Sequence, residues 1–250
     1  METSLKVPNP WTGSPVFVRE RTSSTMDDAR ALALGGCAEG TVVLAGFQEK
    51  GKGRAPGRSW HSKPWDSLMA TVVLNAGAFS FPLSQLPLRV AVAVSLALEE
   101  SGACVQIKWP NDLLVEGKKI AGILCEMCGA SALVGFGVNC GQAAFPGGLA
   151  ATACSILQCT GRSVLPVSLL PTVLARVKDV LHDDEWRGKL LARLSALGEH
   201  VTVALPQAGK APAEKVLEGT LRDVDGEGRL VLEDSAGTLV AVAAGELRRG

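Results

Sequence analysis

Short apolar runs, broken by Gly, Pro and acidic turns, alternate along this chain with longer stretches of helical periodicity. Val16 to Arg19 predicts a short strand. Thr22-Ser23-Ser24-Thr25 followed by Asp27-Asp28 and an Ala/Leu run predicts a helix with Ser24 as N-cap, ended by Gly35-Gly36. Thr41 to Phe47 and Ser67 to Asn75 predict buried strands. Leu86 to Ser101 is apolar nearly all round, the pattern of a helix buried against a sheet. Cys104 to Trp109 predicts a strand leading into a hairpin, Leu113–Val115 and Ile120–Leu124 around Glu116-Gly117. Leu133 to Asn139 predicts a further strand. Residues 140–163 form a Gly- and Ala-containing connection, and Val164–His182 and Asp184–Leu197 predict two amphipathic helices. After Gly198 the texture changes to short strands around Val201, Leu221, Leu230 and Val240, joined by Asp-Gly and Ser-Ala-Gly turns, which suggest a small β-barrel. The expected division is 1–197 for a main domain and 198–250 for a small β domain.

The 250 residues are 47% hydrophobic and 20% charged, the composition of a globular chain rather than a disordered one. A formal net charge of zero argues against DNA as the main partner. No apolar run approaches the ~20 residues a membrane span needs, and METSLKVPNPW lacks the apolar core of a signal peptide, so no membrane association is expected. Seven irregularly spaced cysteines fit free thiols in a cytoplasmic, reducing setting. Cys125 and Cys128 form a lone CxxC at a strand end and read as structural, and three scattered histidines give no metal cluster.

Candidate chemistry concentrates in two places. Lys108 to Glu126 reads KWPNDLLVEGKKIAGILCE, in which Lys108 and Lys119 flank a polar Asn111-Asp112 pair. Gly122 leaves room for a ligand to approach the backbone. Two cations, a carboxylate able to hold a metal and a bare backbone suit an anionic ligand such as a nucleotide. The segment Gln48 to Trp60 holds Lys50, Lys52, Arg54 and Arg58 among Gly51, Gly53 and Gly57, with Pro56 between, and predicts a mobile loop rather than a helix or regular strand. Gly46 to Lys52 imitates a P-loop, but Gly53 stands where Ser or Thr should reach magnesium, and Ala55-Pro56-Gly57 forbids the helix that should follow.

KWPND followed by KKIAGIL, the glycine–cation loop ending at Trp60, and Gly135-x-Gly137-x-Asn139 occur in an order that resembles the biotin protein ligases, over roughly residues 16–250. The resemblance implies an α+β fold: a mixed β-sheet catalytic domain flanked by helices, of the biotin/lipoate ligase and class II synthetase-like type, with an SH3-like C-terminal β domain. The chain starts directly at the catalytic region, the form expected to lack an N-terminal DNA-binding domain. The implied enzyme is ATP- and magnesium-dependent and AMP-forming: biotin becomes biotinyl-5′-AMP, and biotin then passes to a lysine of a biotin carboxyl carrier protein domain. The implied assembly is a monomer or a homodimer. The implied catalytic residues are Lys119 and Arg54; those toward biotin are Ser24, Thr25, Gln48, Gly51, Lys52, Gly53, Arg54, Lys119 and Gly122. Toward ATP the resemblance implies Arg54, Arg58, Trp60, Lys108, Asn111, Asp112 and Asn139, with Asp112 at the metal. The loop over 49–63 is expected to order over ligand. The alternatives are a lipoate or octanoate ligase of the same fold, whose Arg-Arg…Gly-Gly-Gly…His-Asp segment this sequence lacks, and a non-enzymatic biotin- or nucleotide-responsive binding protein.

Overall fold

A computed structural model describes residues 7–54, 57, 59–206 and 215–249. In chain order the elements are β1 (Val16–Arg19), α1 (Thr25–Leu34), β2 (Val42–Ala45), β3 (Gly51–Lys52), β4 (Ser59–Trp60), β5 (Ser67–Asn75), α2 (Leu86–Glu100), β6 (Gln106–Lys108), β7 (Asp112–Val115), β8 (Lys118–Cys128) and β9 (Ser131–Asn139). There follow α3 (Leu149–Thr152), α4 (Ile156–Thr160), α5 (Pro166–Leu181), α6 (Trp186–Leu191), β10 (His200–Ala204), β11 (Val216–Val224), β12 (Leu230–Glu233), β13 (Leu239–Val242) and β14 (Glu246–Arg249).

The main sheet has seven strands in the order β1-β2-β5-β9-β8-β7-β6. β1 runs parallel to β2 and the other neighbours are antiparallel, so the sheet is mixed, as expected. β5 sits centrally and all of it except Asn75 is buried, which explains its nearly unbroken apolar run. One face is closed by α1, where Met26 and Ala29 meet Val43, Val73 and Leu133. The other is closed by α2 and α5. In α2 the buried Arg89 lies between the rings of Phe81 and Trp186, at 4.1 and 4.7 Å from their centroids. It donates to Val180 O in the last turn of α5 and to Asp183 O just beyond it, giving each carbonyl a further donor besides a backbone N–H. Burial lowers its pKa, and the charges of Asp183 and Asp184 act in the opposite direction.

The last five strands form an antiparallel sheet ordered β13-β12-β11-β10-β14, the small β unit expected there. Its core is continuous with that of the main sheet. The indole of Trp109 donates to Gly228 O at 3.0 Å, which ties the start of the KWPND hairpin to the turn before β12.

Three expectations need correction. Asp184–Leu197 is not one helix: α6 spans Trp186–Leu191. The chain then pairs with the free edge of β6, where Ile107 donates to Arg193 O and Ser195 donates to Ile107 O, so sheet pairing displaces the last helical turns. The loop after Gln48 is not wholly irregular, because Gly51 pairs with Trp60 and Lys52 with Ser59. Gly51 makes that ribbon feasible, since a Cβ there would lie 2.7 Å from Trp60 O. Strand β14 was not anticipated at all.

Trp109→Phe removes the indole donor and part of a ring that is 2% exposed, leaving Gly228 O without its partner. Denaturant unfolding should show a loss of about 1–3 kcal/mol. An unchanged midpoint would mean that this tie between the two sheets carries no weight.

Candidate functional site

On the α1 side of the main sheet, α1, the β3–β4 ribbon, β5, β8 and β9 line a cavity that opens to solvent. Its floor is built from glycine. Gly135 and Gly137 share one face of β9 because side chains alternate along a strand. A Cβ on Gly135 would lie 2.8 Å from Met26 Sδ, and one on Gly137 would lie 2.9 Å from the Trp60 ring. The GxG pattern therefore lets a thioether and an indole lie flat on the sheet.

At one end is the start of α1. Ser24 has the extended backbone of an N-cap, but its hydroxyl makes no capping bond, contrary to expectation. That hydroxyl is fully buried, borders the cavity and has no hydrogen-bond partner among the described residues. Beside it Gln48 Oε1 accepts from Thr25 N at 2.8 Å and from Thr25 Oγ1 at 3.1 Å, while Thr71 Oγ1 donates to Thr25 Oγ1 at 2.9 Å. These bonds set the amide orientation of Gln48, with its Oε1 already engaged.

At the other end is the β7–β8 hairpin. Glu116 and Gly117 both have positive φ, as a two-residue turn between twisted strands requires. Beyond the turn Leu114 pairs with Lys119 but Leu113 with Ala121, so Ile120 is an extra residue, a β-bulge. Without it Lys119 and Gly122, three residues apart, would point to opposite faces. With it they share one: a Cβ on Gly122 would lie 3.1 Å from Lys119 Nζ. Lys119 Nζ forms an ion pair with Asp112 at 2.5 Å. Asn111 Nδ2 donates to Ile123 O at 2.8 Å, which holds the hairpin base.

Two further cations border the cavity from above. Lys52 is ion-paired with Asp27 on α1. Arg54 Nη2 donates to Gly245 O at 2.9 Å, crossing to the last strands of the chain. Arg54, Asn111, Ile123 and Leu124 also border a second, open cleft, whose other wall includes Gly228, Ala243 and Ala244.

The structure thus brings together Ser24, Thr25, Gln48, Lys52, Gly53, Arg54, Trp60, Asn111, Lys119 and Gly122 around one cavity. It does not bring all the expected residues to that wall. Gly51 is pinned under Trp60 O, Asp112 reaches the cavity through Lys119, and Lys108 lies in β6 opposite Asp112. Asn139 uses its side chain on the backbone, donating to Cys154 O at 3.0 Å and to Lys119 O at 3.4 Å, so it positions the lysine strand. Ala55, Pro56 and Arg58, part of the loop expected to order over ligand, lie outside the described residues. The apolar side chains on the cavity side that the sequence does not point to are Met26, Met69 and Leu124, while Ala70, Ile123 and Phe136 border the cavity from strands whose side chains at those positions belong to the core on the other face. The alternation of Gly135 and Gly137 was the one signal that this face stays open.

Residues 18–142 match the family model described as the Biotin/lipoate A/B protein ligase family, and 196–247 match the Biotin protein ligase C terminal domain. The chain belongs to the biotin/lipoate A/B protein ligase family. Within it, the chain is 34% identical over 241 residues to a biotin–[acetyl-CoA-carboxylase] ligase of Paracoccus denitrificans, covering 90% of this chain and 96% of that one. It is 32% identical to a bifunctional ligase/repressor of Bacillus subtilis, covering 90% of this chain and 71% of the relative. Among solved structures it superimposes on biotin protein ligase from Aquifex aeolicus in complex with biotin and ATP. The TM-score is 0.82 at 29% identity, over 94% of this chain and 99% of that one.

The unpartnered Ser24 hydroxyl generates a test. Ser24→Ala should leave unfolding stability unchanged or slightly raised, because an unmet polar group is removed, whereas loss of a true capping serine costs about 1 kcal/mol. Thermal unfolding of the ligand-free variant measures this, and a clear fall in stability would reinstate the capping role.

Proposed function

We propose that this chain is an ATP-dependent biotin–protein ligase, which activates biotin as biotinyl-5′-AMP and transfers it to a lysine of a biotin carboxyl carrier protein domain. The observation that carries this reading is the cavity itself. It offers an unengaged buried hydroxyl at one end and a lysine steered by a bulge at the other, with glycine-lined apolar walls between. A molecule with a hydrogen-bonding ring, an aliphatic body and a terminal carboxylate fits that sequence of surfaces.

In this reading Ser24, Thr25 and Gln48 take the ureido ring, and Met26 and Trp60 pack the apolar body of the ligand. Lys119 holds the reacting carboxylate against the α-phosphate, where two anions must approach and fixed positive charge lowers the barrier. Asp112 holds the ammonium in place and, with the nucleotide's own phosphates, is the carboxylate that would hold magnesium. The described residues contain no group of three metal-ligating side chains, and magnesium is commonly bound by one or two carboxylates plus phosphate oxygens. Bound there, the ion supplies charge neutralisation of the triphosphate. Arg54 shields the anhydride from water, and its bond to Gly245 O draws the glycine loop across the cavity. Carrier lysine enters through the second cleft, which meets the first at Arg54, Asn111, Ile123 and Leu124. Transfer then needs no nucleophile from the enzyme, because the acceptor amine attacks the acyl carbon and AMP leaves. No described helix is long and apolar enough to cross a membrane, and the seven cysteines are free thiols, which supports a cytoplasmic setting.

Lys119→Gln should lower biotin-dependent pyrophosphate release by on the order of 100-fold or more, while biotin still binds. Pyrophosphate release by the unaltered protein should depend on biotin and not on lipoate. Equal release with lipoate would transfer the assignment to the other branch of the family. Biotin binding without release would make the chain a sensor.

A further inference from the structure

Behind Lys119 lies a buried chain of amides and a hydroxyl, formed by Gln142, Ser67 and Asn139, outside the lining of the cavity. Gly135, Gly137 and Asn139 share one face of β9, so Asn139 stands at the end of the glycine shelf. On one side its amide meets two backbone carbonyls, Cys154 O at 3.0 Å and Lys119 O at 3.4 Å. Carbonyls only accept, so the atom that faces them is Nδ2. The other side then presents Oδ1, which needs donors. Gln142 Nε2 and Ser67 Oγ donate to it, each at 3.4 Å.

Gln142 sets the direction of this chain. One hydrogen of its Nε2 goes to Ser67 Oγ at 2.6 Å, and the other is shared by Asn139 Oδ1 and Ser62 Oγ, both at 3.4 Å. Ser67 accepts from Gln142 and passes its own hydrogen to Asn139. Every bond therefore runs the same way, from Gln142 through Ser67 and Asn139 to the carbonyl of Lys119. The arrangement leaves Gln142 Oε1 buried, with no hydrogen-bond partner among the described residues. Turning the amide over would not help, because Asn139 Oδ1 would then face another oxygen. The main chain nearby is anchored separately: Ser155 Oγ donates to Gln142 O at 2.6 Å, and Cys154 N donates to Lys119 O at 3.0 Å. The Gln142 side chain thus acts on Asn139 without carrying the backbone.

We propose that Gln142 is a positioning residue for Lys119: its amide donors fix the orientation of Asn139, whose own amide then holds the Lys119 strand and keeps the ammonium at the cavity. Without those donors the Asn139 amide is free to turn its oxygen toward the carbonyls of Cys154 and Lys119, which repel it. Lys119 then shifts, while the groups that take the ring and body of the ligand stay in place. The chemical step slows and binding does not change. The effect on rate rests on the ligase reading; the hold on the Lys119 strand does not, and the experiment separates them.

The full chain is compared with Gln142→Met, which keeps the volume and removes the donors, and with Gln142→Glu, which keeps the shape but turns acceptor oxygens toward Ser67 and Asn139. In Gln142→Met, kcat for biotin-dependent pyrophosphate release should fall about tenfold or more, with biotin affinity unchanged and a thermal midpoint within about 3 °C of the unaltered protein. Gln142→Glu should be no faster than Gln142→Met. Added to Asn139→Ala, Gln142→Met should lower the rate no further, because it acts only through Asn139. The Cys154 amide, bonded to Lys119 O, should exchange its hydrogen faster in both Gln142 variants. An unaltered rate in Gln142→Met, a full further loss on top of Asn139→Ala, or unaltered exchange at Cys154 would each overturn the proposal. A rate loss matched by a clear fall in the thermal midpoint would also overturn it, by making Gln142 a packing residue. If the unaltered protein releases no pyrophosphate with biotin, the ligase reading fails, and exchange at Cys154 alone decides whether Gln142 holds the Lys119 strand.

Discussion

One extra residue in β8 decides where the charge of this site goes. A regular strand would place Lys119 and Gly122 on opposite faces of the sheet, and the ammonium would then lie away from the open backbone it has to serve. The bulge at Ile120 turns the lysine to the face of Gly122, and Asp112, opposite Gly122 in register, receives it. The rest of the architecture supports that arrangement. Ile120 and Ala121 are fully buried, so the bulge is clamped by the core. Asn139 and the segment before α4 hold the lysine's own carbonyl and strand from behind.

The remaining half of the cavity depends on the absence of side chains. Gly135 and Gly137 make a shelf on which Met26 and Trp60 rest, and Gly51 lets the flap ribbon close onto Trp60 O. Each of these contacts would be blocked by a single methyl group. The site is thus a compromise between a fully packed sheet and three glycines whose missing side chains are replaced by a thioether, an indole and a backbone carbonyl.

Much of this was legible in the order of residues. Apolar runs located the strands because β5 and α2 are buried almost throughout and show little polar interruption. The polar ends of the cavity were legible because Ser24-Thr25, Gln48 and the KWPND hairpin are local in sequence. Other features depend on contacts that no window of residues contains. The capping reading of Ser24 failed because its hydroxyl faces a cavity assembled from β5, β8 and β9. The lower half of the helix expected from Asp184 is lost to the edge of β6, more than eighty positions away. The Gly-x-Gly-x-Asn pattern suggests a ligand contact for Asn139, yet its amide is engaged by two carbonyls that reach it only after folding. The bulge itself leaves no trace in composition, since Lys-Lys-Ile-Ala-Gly reads equally well as an unbroken strand.

Arg54 and Gly245 are 191 residues apart, and the bond between them spans most of the chain. During synthesis at ordinary rates, the ribosome would deliver the glycine-rich flap roughly 10 to 40 s before the carbonyl that anchors it. For that interval a nascent polypeptide can already have built its central sheet while the cover above it still lacks a latch. The order of translation therefore makes closure of the cavity a late event in the maturation of the molecule.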